Sequence, residues 1–156
     1  MNTNQLLVAM LLAKIDMLEN KLKYDSLTGA ITQSMLIDMW HKEDLVTIIA
    51  IDVAGLKAIN ETEGHDKGDL KLQQVALDLK QCVRLTDCIY RRGGDEFVIR
   101  IPYCTYLDSD LIVNRIQQLT HDLYIGVISG NDKLSTLIQI AFSQVESQKK
   151  IKKLIG

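Results

Sequence analysis

Leu45 to Ile51 (Leu-Val-Thr-Ile-Ile-Ala-Ile) is a nearly continuous apolar stretch, rich in β-branched residues, that stops at Asp52. A run of that length and composition reads as a strand buried on both faces. Such a strand needs sheet neighbours on either side and helices above and below. The chain supplies both. Cys88 to Arg92 and Glu96 to Ile101 read as two short strands joined by Gly93-Gly94-Asp95, a hairpin signal, and Leu123 to Ser129 is another apolar strand.

Between these strands lie segments of helical period. A short one follows Asp52, then comes Gly64-His65-Asp66-Lys67-Gly68-Asp69, then a long helix from about Leu70 to Arg84. Ser109 to His121 and Asp132 to Lys149 are two more. Asp25-Ser-Leu-Thr-Gly29 breaks a leading helix and is expected to cap the next, over Ile31 to His41. The order is helix, strand, helices, hairpin, helix, strand, helix. It predicts an α/β (α+β) fold of the split βαβ, ferredoxin-like or palm type, a mostly antiparallel sheet covered by helices. Two parts are expected: a helix over residues 1–23 and a single domain over 24–156. Val8, Leu11, Ile15, Leu18 and Leu22 form an a/d seam along the leading helix. That helix either lies on its own domain or pairs with a second chain.

Composition narrows the function. The 156 residues are 47% hydrophobic and 24% charged, with one proline, as in an ordinary globular chain. A formal net charge of −2 gives no general attraction to nucleic acid or to an anionic membrane. A local basic cluster, Lys149 to Lys153, stands apart from that balance. Cys82, Cys88 and Cys104 are an odd set without metal-type spacing and read as reduced thiols. The apolar run from Leu6 to Ala13 falls far short of the ~20 residues that span a bilayer, and no basic residues open it as they would a secretory signal. The expectation is a cytoplasmic protein with no membrane span and no nucleic-acid partner.

Two acidic positions invite chemistry. Asp52 ends the buried strand, and Asp95-Glu96 occupies the hairpin tip. A sheet pairing those strands brings the carboxylates to one edge. Hard oxygen ligands of this kind suit Mg²⁺, which takes one or two carboxylates plus substrate phosphates. Gly93 and Gly94 remove side chains beside Asp95, so a nucleotide can approach the backbone. Taken alone, a Gly-Gly-Asp link also fits a plain surface turn.

Arg92-Gly93-Gly94-Asp95-Glu96-Phe97 resembles the signature after which the GGDEF family of diguanylate cyclases is named. Asp25-Ser-Leu-Thr-Gly29 resembles the family's opening motif. Asp52, Lys57, Ile59, Asn60, Gly64, His65, Gly68 and Asp69 match its DxDxFKxINDxxGHxxGD stretch. Arg84-Leu-Thr-Asp87 lies at the place of its inhibitory RxxD motif, and Ile125-Gly126-Val127 resembles its late strand. The resemblance covers about Tyr24 to Lys153.

It implies an enzyme that condenses two GTP into cyclic di-GMP and two pyrophosphates, working as a homodimer with Mg²⁺ or Mn²⁺. By that likeness Asp52, Val53 (through its carbonyl), Asp95 and Glu96 hold metal. Asp52, Asp95 and Glu96 are also the catalytic set. Asn60 and Asp69 read guanine. Lys57, Lys149 and Lys153 contact phosphates beside Gly93 and Gly94. Arg84, Asp87 and Arg115 form a site at which cyclic di-GMP inhibits. The alternative is an inactive module that receives GTP or cyclic di-GMP. The match has departures. Ala54 and Leu56 replace an aspartate and a phenylalanine, Ala30 a leucine, and Tyr124 a serine. Phe142 and Glu146 replace an aspartate and a tyrosine, Lys153 stands for arginine, and the segment before the late strand is short.

Overall fold

The computed structural model describes residues 2–38, 45–104 and 106–155. In chain order the elements are α1 (Thr3–Lys23), β1 (Ile31–Thr32), α2 (Gln33–Asp38), β2 (Val46–Val53), α3 (Leu56–Glu63) and α4 (His65–Cys82), followed by β3 (Cys88–Gly93), β4 (Glu96–Pro102), α5 (Tyr106–Leu119), β5 (Leu123–Gly130) and α6 (Leu134–Ile155).

Every residue of β2 is buried, as its composition requires. The sheet order is β1-β3-β4-β2-β5, so β2 is flanked on both sides and runs antiparallel to both neighbours. β3 pairs antiparallel with β4, and β1 adds parallel to β3. Because β4 lies between them, β2 and β3 run the same way without touching. That is the split βαβ arrangement, and β3-β4-β2-β5 with its crossing helices is the expected ferredoxin-like unit.

The alternation of β2 sorts the core into two layers. Ile49, Ile51 and Val53 face Leu72, Val75 and Leu79 of α4 and Ile112 and Ile116 of α5. Val46, Ile48 and Ala50 face Leu134, Leu137, Ala141, Phe142 and Val145 of α6, with Leu36 of α2 beside them.

Several boundaries differ from the sequence reading. Ile31 and Thr32 form a strand, pairing with Tyr90 and Arg91, so the helix expected from Ile31 begins at Gln33. Residues 39–41 of that expected helix lie outside the described residues. Asp25-Ser-Leu-Thr-Gly29 does not cap the helix; it closes a turn that returns Tyr24 to a bridge with Ile31. β-branched Ile31 and Thr32 prefer the pleat once β3 offers a free edge. α4 starts at His65, five residues ahead of expectation, which places Gly68 and Asp69 on its first turns. β2 runs through Asp52 to Val53, and α6 begins at Leu134 and continues to Ile155.

α1 buries none of its side chains. Its seam residues Val8, Leu11, Ile15, Leu18 and Leu22 are 47–71% exposed, so the helix does not lie on its own domain. Among the described residues no helix is long and apolar enough to cross a membrane.

β5 is an edge strand, and its free backbone groups are taken by two glutamines of α6. Val127 N–H donates to Gln144 Oε1 (2.8 Å) and Gln144 Nε2 donates to Val127 O (2.9 Å). One turn on, Ile125 N–H donates to Gln148 Oε1 (3.1 Å) and Gln148 Nε2 to Ile125 O (2.6 Å). Four helical residues rise ~6 Å and two strand residues ~6.7 Å, so an i, i+4 pair can serve alternate strand positions. The helix gets this close because position 126 is glycine: a Cβ there would lie 2.0 Å from Ala141 O. Gly126→Ala should therefore lower stability by about 1–3 kcal/mol in urea unfolding. The Gln144→Ala, Gln148→Ala double variant should gain concentration-dependent self-association, because it bares the β5 edge.

Candidate active site

The last residues of β2 include Asp52, the strand-end carboxylate singled out in the sequence. Asp52 is 3% exposed, and across the ladder it faces Glu96 of β4 directly. Like charges opposite each other repel, and here each has its own cation. Lys149 of α6 donates to Asp52 Oδ2 at 2.6 Å. Arg92 Nη1 donates to Glu96 Oε2 at 3.1 Å, while its guanidinium lies over the Phe142 ring, 4.4 Å from the centroid. Lys149 has a second partner, Glu146 Oε1 at 3.0 Å. Burial pushes the Asp52 carboxyl above the ordinary aspartate range. The Lys149 hydrogen bond opposes that shift, and the nearby charges of Asp95 and Glu146 add to it. For Lys149 burial acts downward, but its two carboxylate partners prevail and hold its pKa above the usual lysine value.

Asp95 is brought to the end of β2 by its backbone: Val53 N–H donates to Asp95 O at 3.0 Å. The hairpin that carries it is fixed from behind. Arg91 donates through Nε and Nη2 to Gly94 O (3.2 and 2.7 Å) and through Nη1 to Asp25 Oδ1 (2.9 Å). Asp25 also accepts from the Thr28 N–H and hydroxyl (2.9 and 2.6 Å). The opening motif is thus a brace for the signature hairpin. Gly94 does not have the positive φ of a tight-turn glycine, and a Cβ there would meet nothing within 4 Å. What it contributes is open space, as the sequence reading expected for approach of a ligand to the backbone.

That space belongs to a cleft of about 480 Å³ lined by Leu56, Lys57, Asn60, Glu61, His65, Gly94 and Asp95. Asn60 leans across onto α4, where only a glycine leaves room: a Cβ at Gly68 would lie 1.9 Å from Asn60 Oδ1. That oxygen is buried and has no hydrogen-bond partner, an arrangement that folded proteins avoid without cause. Asp69, the next residue, is exposed on the same turn of α4. Lys57 is exposed and forms a loose 3.8 Å pair with Glu61.

The structure therefore gathers Lys57, Asn60, Gly94 and Asp95 into one cleft and joins it to Asp52, Val53 and Lys149 through the Val53–Asp95 hydrogen bond. Lys153 is exposed one turn beyond Lys149, and Gly93 pairs with Glu96 at the base of the hairpin. Glu96 is turned to Arg92, and not to the cleft. Sequence reasoning left Leu56, Glu61 and His65 out of the cleft, although His65 stands within the matched stretch. It also missed Glu146 as a partner of Lys149, a residue visible beforehand only as a departure three positions earlier.

The expected inhibitory residues lie elsewhere, beyond the C-terminal end of α4. Asp87 Oδ2 accepts the Arg84 N–H at 2.8 Å and Asp87 N–H donates to Arg84 O at 3.1 Å, a self-contained turn. Arg115 of α5 donates to Leu111 O at 3.3 Å and is close enough to bear electrostatically on the Cys82 thiol.

Asp52 and Asp95 offer carboxylate oxygens at one strand end, with the Val53 carbonyl beside them. Among the described residues no cluster of three or more His, Cys, Asp or Glu side chains could hold a metal unaided. Two carboxylates and a carbonyl are a hard, incomplete set that suits Mg²⁺ or Mn²⁺ arriving with phosphate oxygens.

A family model described as "Diguanylate cyclase, GGDEF domain" matches residues 18–156. This chain belongs to the GGDEF family. Among its relatives, the response regulator PleD of Caulobacter vibrioides is 37% identical over 100 residues, 64% of this chain and 22% of PleD. Diguanylate cyclase A of Treponema denticola is 30% identical over 115 residues, 71% of this chain and 30% of that protein. This chain thus spans less than a third of the length of either relative. The solved coiled coil and GGDEF domain of DgcB from Caulobacter crescentus, in complex with c-di-GMP, superposes with a TM-score of 0.85 at 15% identity. It covers 94% of this chain and 91% of that one, so the likeness in fold reaches into α1.

The brace behind the hairpin has a pH signature. Burial raises the Asp25 carboxyl, but hydrogen bonds from Thr28 and Arg91 outweigh it, so its pKa lies below the ordinary value of 3.8. A depressed carboxylate stabilises the fold fully above its unfolded value and loses that contribution as pH falls through the folded value. Asp25→Asn should cost about 1–2 kcal/mol at pH 7. In urea titrations the gap to the parent should close below about pH 4.

Proposed function

We propose that this chain is the catalytic module of a diguanylate cyclase, joining two GTP into cyclic di-GMP with release of two pyrophosphates. The observation that carries the reading is the unpartnered Asn60 Oδ1, on a residue that lines the same cleft as Asp95. A buried acceptor is what a guanine edge, with its N–H donors, can satisfy. A base lacking those donors leaves it unpaired at a cost. Asp69, one residue beyond Gly68, supplies a second acceptor.

The remaining residues take roles from their places. Asp52, Asp95 and the Val53 carbonyl would hold Mg²⁺ or Mn²⁺, which when bound neutralises triphosphate charge and polarises the α-phosphate. Lys149, Lys153 and Lys57 supply positive charge for the phosphates. The Asp95 carboxylate would accept the proton of an attacking 3′-hydroxyl. Glu96, opposite Asp52 and paired with Arg92, would add a further carboxylate to that metal set.

One chain presents one half-site, so joining two GTP calls for two chains face to face. The exposed seam of α1 supports that homodimer: a stripe of Val8, Leu11, Ile15, Leu18 and Leu22 left exposed favours a partner helix. Arg84, Asp87 and Arg115 are the proposed contacts for inhibiting cyclic di-GMP, since arginine forks suit phosphate and guanine edges.

Purified protein incubated with GTP and Mg²⁺ should yield cyclic di-GMP, resolved by chromatography. Asp95→Ala should lower the rate by at least about 100-fold. GTP binding without product, in parent and variant alike, would contradict the enzymatic reading and favour a nucleotide receptor.

A further inference from the structure

Lys149 sits between two carboxylates, 2.6 Å from Asp52 and 3.0 Å from Glu146. One of them, Asp52, is nearly inaccessible to solvent; the other, Glu146, has a side chain that is 57% exposed. We infer that Lys149 is a resident cation that holds the metal position on Asp52 while the site is empty, and that Glu146 is the positioning residue that keeps this lysine in the site when a metal displaces it. The inference rests on the reading of Asp52 as a metal ligand.

The argument begins with charge. The Asp52 carboxylate lies directly opposite Glu96, within the field of Asp95, and almost out of water. It needs a compensating cation. The Glu96 carboxylate is already neutralised by Arg92, so the ammonium of Lys149 supplies the charge for Asp52. A divalent ion approaching Asp52 enters the field of that ammonium, which is bonded to Oδ2, and the two cations compete for one carboxylate. The inferred exchange has the metal displace Lys149 from that oxygen.

Where the lysine goes is decided by Glu146. It lies three residues before Lys149 on α6, on the adjoining side of the helix, and already accepts one of the three ammonium protons. When Asp52 turns to metal, Glu146 keeps the ammonium within reach of the phosphates instead of releasing it to solvent. The exchange moves one positive charge from a carboxylate to the substrate as the metal enters. Glu146 is thus a positioning residue acting through Lys149.

Calorimetric titration with MnCl₂ in the absence of nucleotide reads the competition directly. Lys149→Met should bind Mn²⁺ at least about fivefold more tightly than the parent, because the internal competitor is gone. The same variant should bind a non-hydrolysable GTP analogue, with Mn²⁺ present, at least about tenfold more weakly. Glu146→Gln should move both affinities down, by about three- to tenfold, with partial recovery in Glu146→Asp. A merely structural role for the Asp52–Lys149 pair would not raise metal affinity in any variant. Unchanged or weakened Mn²⁺ binding in Lys149→Met, or no Mn²⁺ binding in parent and variant, overturns the inference. Should Lys149→Met not fold, the exposed Glu146 position carries the test, and unmoved affinities in Glu146→Gln overturn it. Affinities that shift as stated in a protein making no cyclic di-GMP would sink the enzymatic reading alone. Synthesis with unmoved Mn²⁺ affinities would sink this one alone.

Discussion

A carboxylate held almost out of water at the end of a central strand is costly, and much of this molecule follows from how Asp52 is accommodated. Its charge requires Lys149, and Lys149 requires α6 to pass close over the β2–β5 side of the sheet. That approach depends on Gly126, against which the Ala141 carbonyl packs, and it lets Gln144 and Gln148 take up the backbone of the edge strand. Removing one partner of such a pair leaves a buried charge uncompensated, at about 3 kcal/mol or more. The same helix contributes Phe142, on which Arg92 rests while it neutralises Glu96. One element thus balances both carboxylates of the β2–β4 pair.

The opposite side of the site is built from positioning of backbone. Arg91 ties the Gly94 carbonyl to Asp25, and Val53 holds the Asp95 carbonyl, so the hairpin tip is fastened from two directions. A rigid tip beside an open cleft is what a transfer reaction between large anions asks for, because its catalysis is mostly orientation and charge. The unpartnered Asn60 oxygen is the opposite kind of feature, a local cost retained in a cleft where a ligand could repay it.

The sheet was legible in the sequence because its strands are short apolar runs bounded by glycine and acidic residues, and because β2 is uniform enough to exclude an edge position. Asp52 and Asp95 could be brought together from strand pairing alone. Ile31 and Thr32 were misread as helix, since two β-branched residues carry no period of their own and became a strand only because β3 has a free edge. Gly68 could be matched to a family motif, but its purpose depends on a side chain eight residues earlier, on another helix. The glutamines at 144 and 148 look like an ordinary polar helix face, and nothing local marks them as partners of a strand. Glu146 was visible only as a substitution; its meaning lies in the two-partner geometry of Lys149.

In the proposed cycle a nucleotide and its metal enter between Asn60 and Asp52, and Lys149 changes partner as they do. A crystal structure of the protein with Mn²⁺ and a non-hydrolysable GTP analogue tests it most directly, with the metal located by anomalous scattering. The expected result is manganese on Asp52 and Asp95, the base against Asn60, and the Lys149 ammonium moved from Asp52 to phosphate. A nucleotide seated outside the cleft, or Lys149 still bonded to Asp52 beside a bound metal, would contradict it.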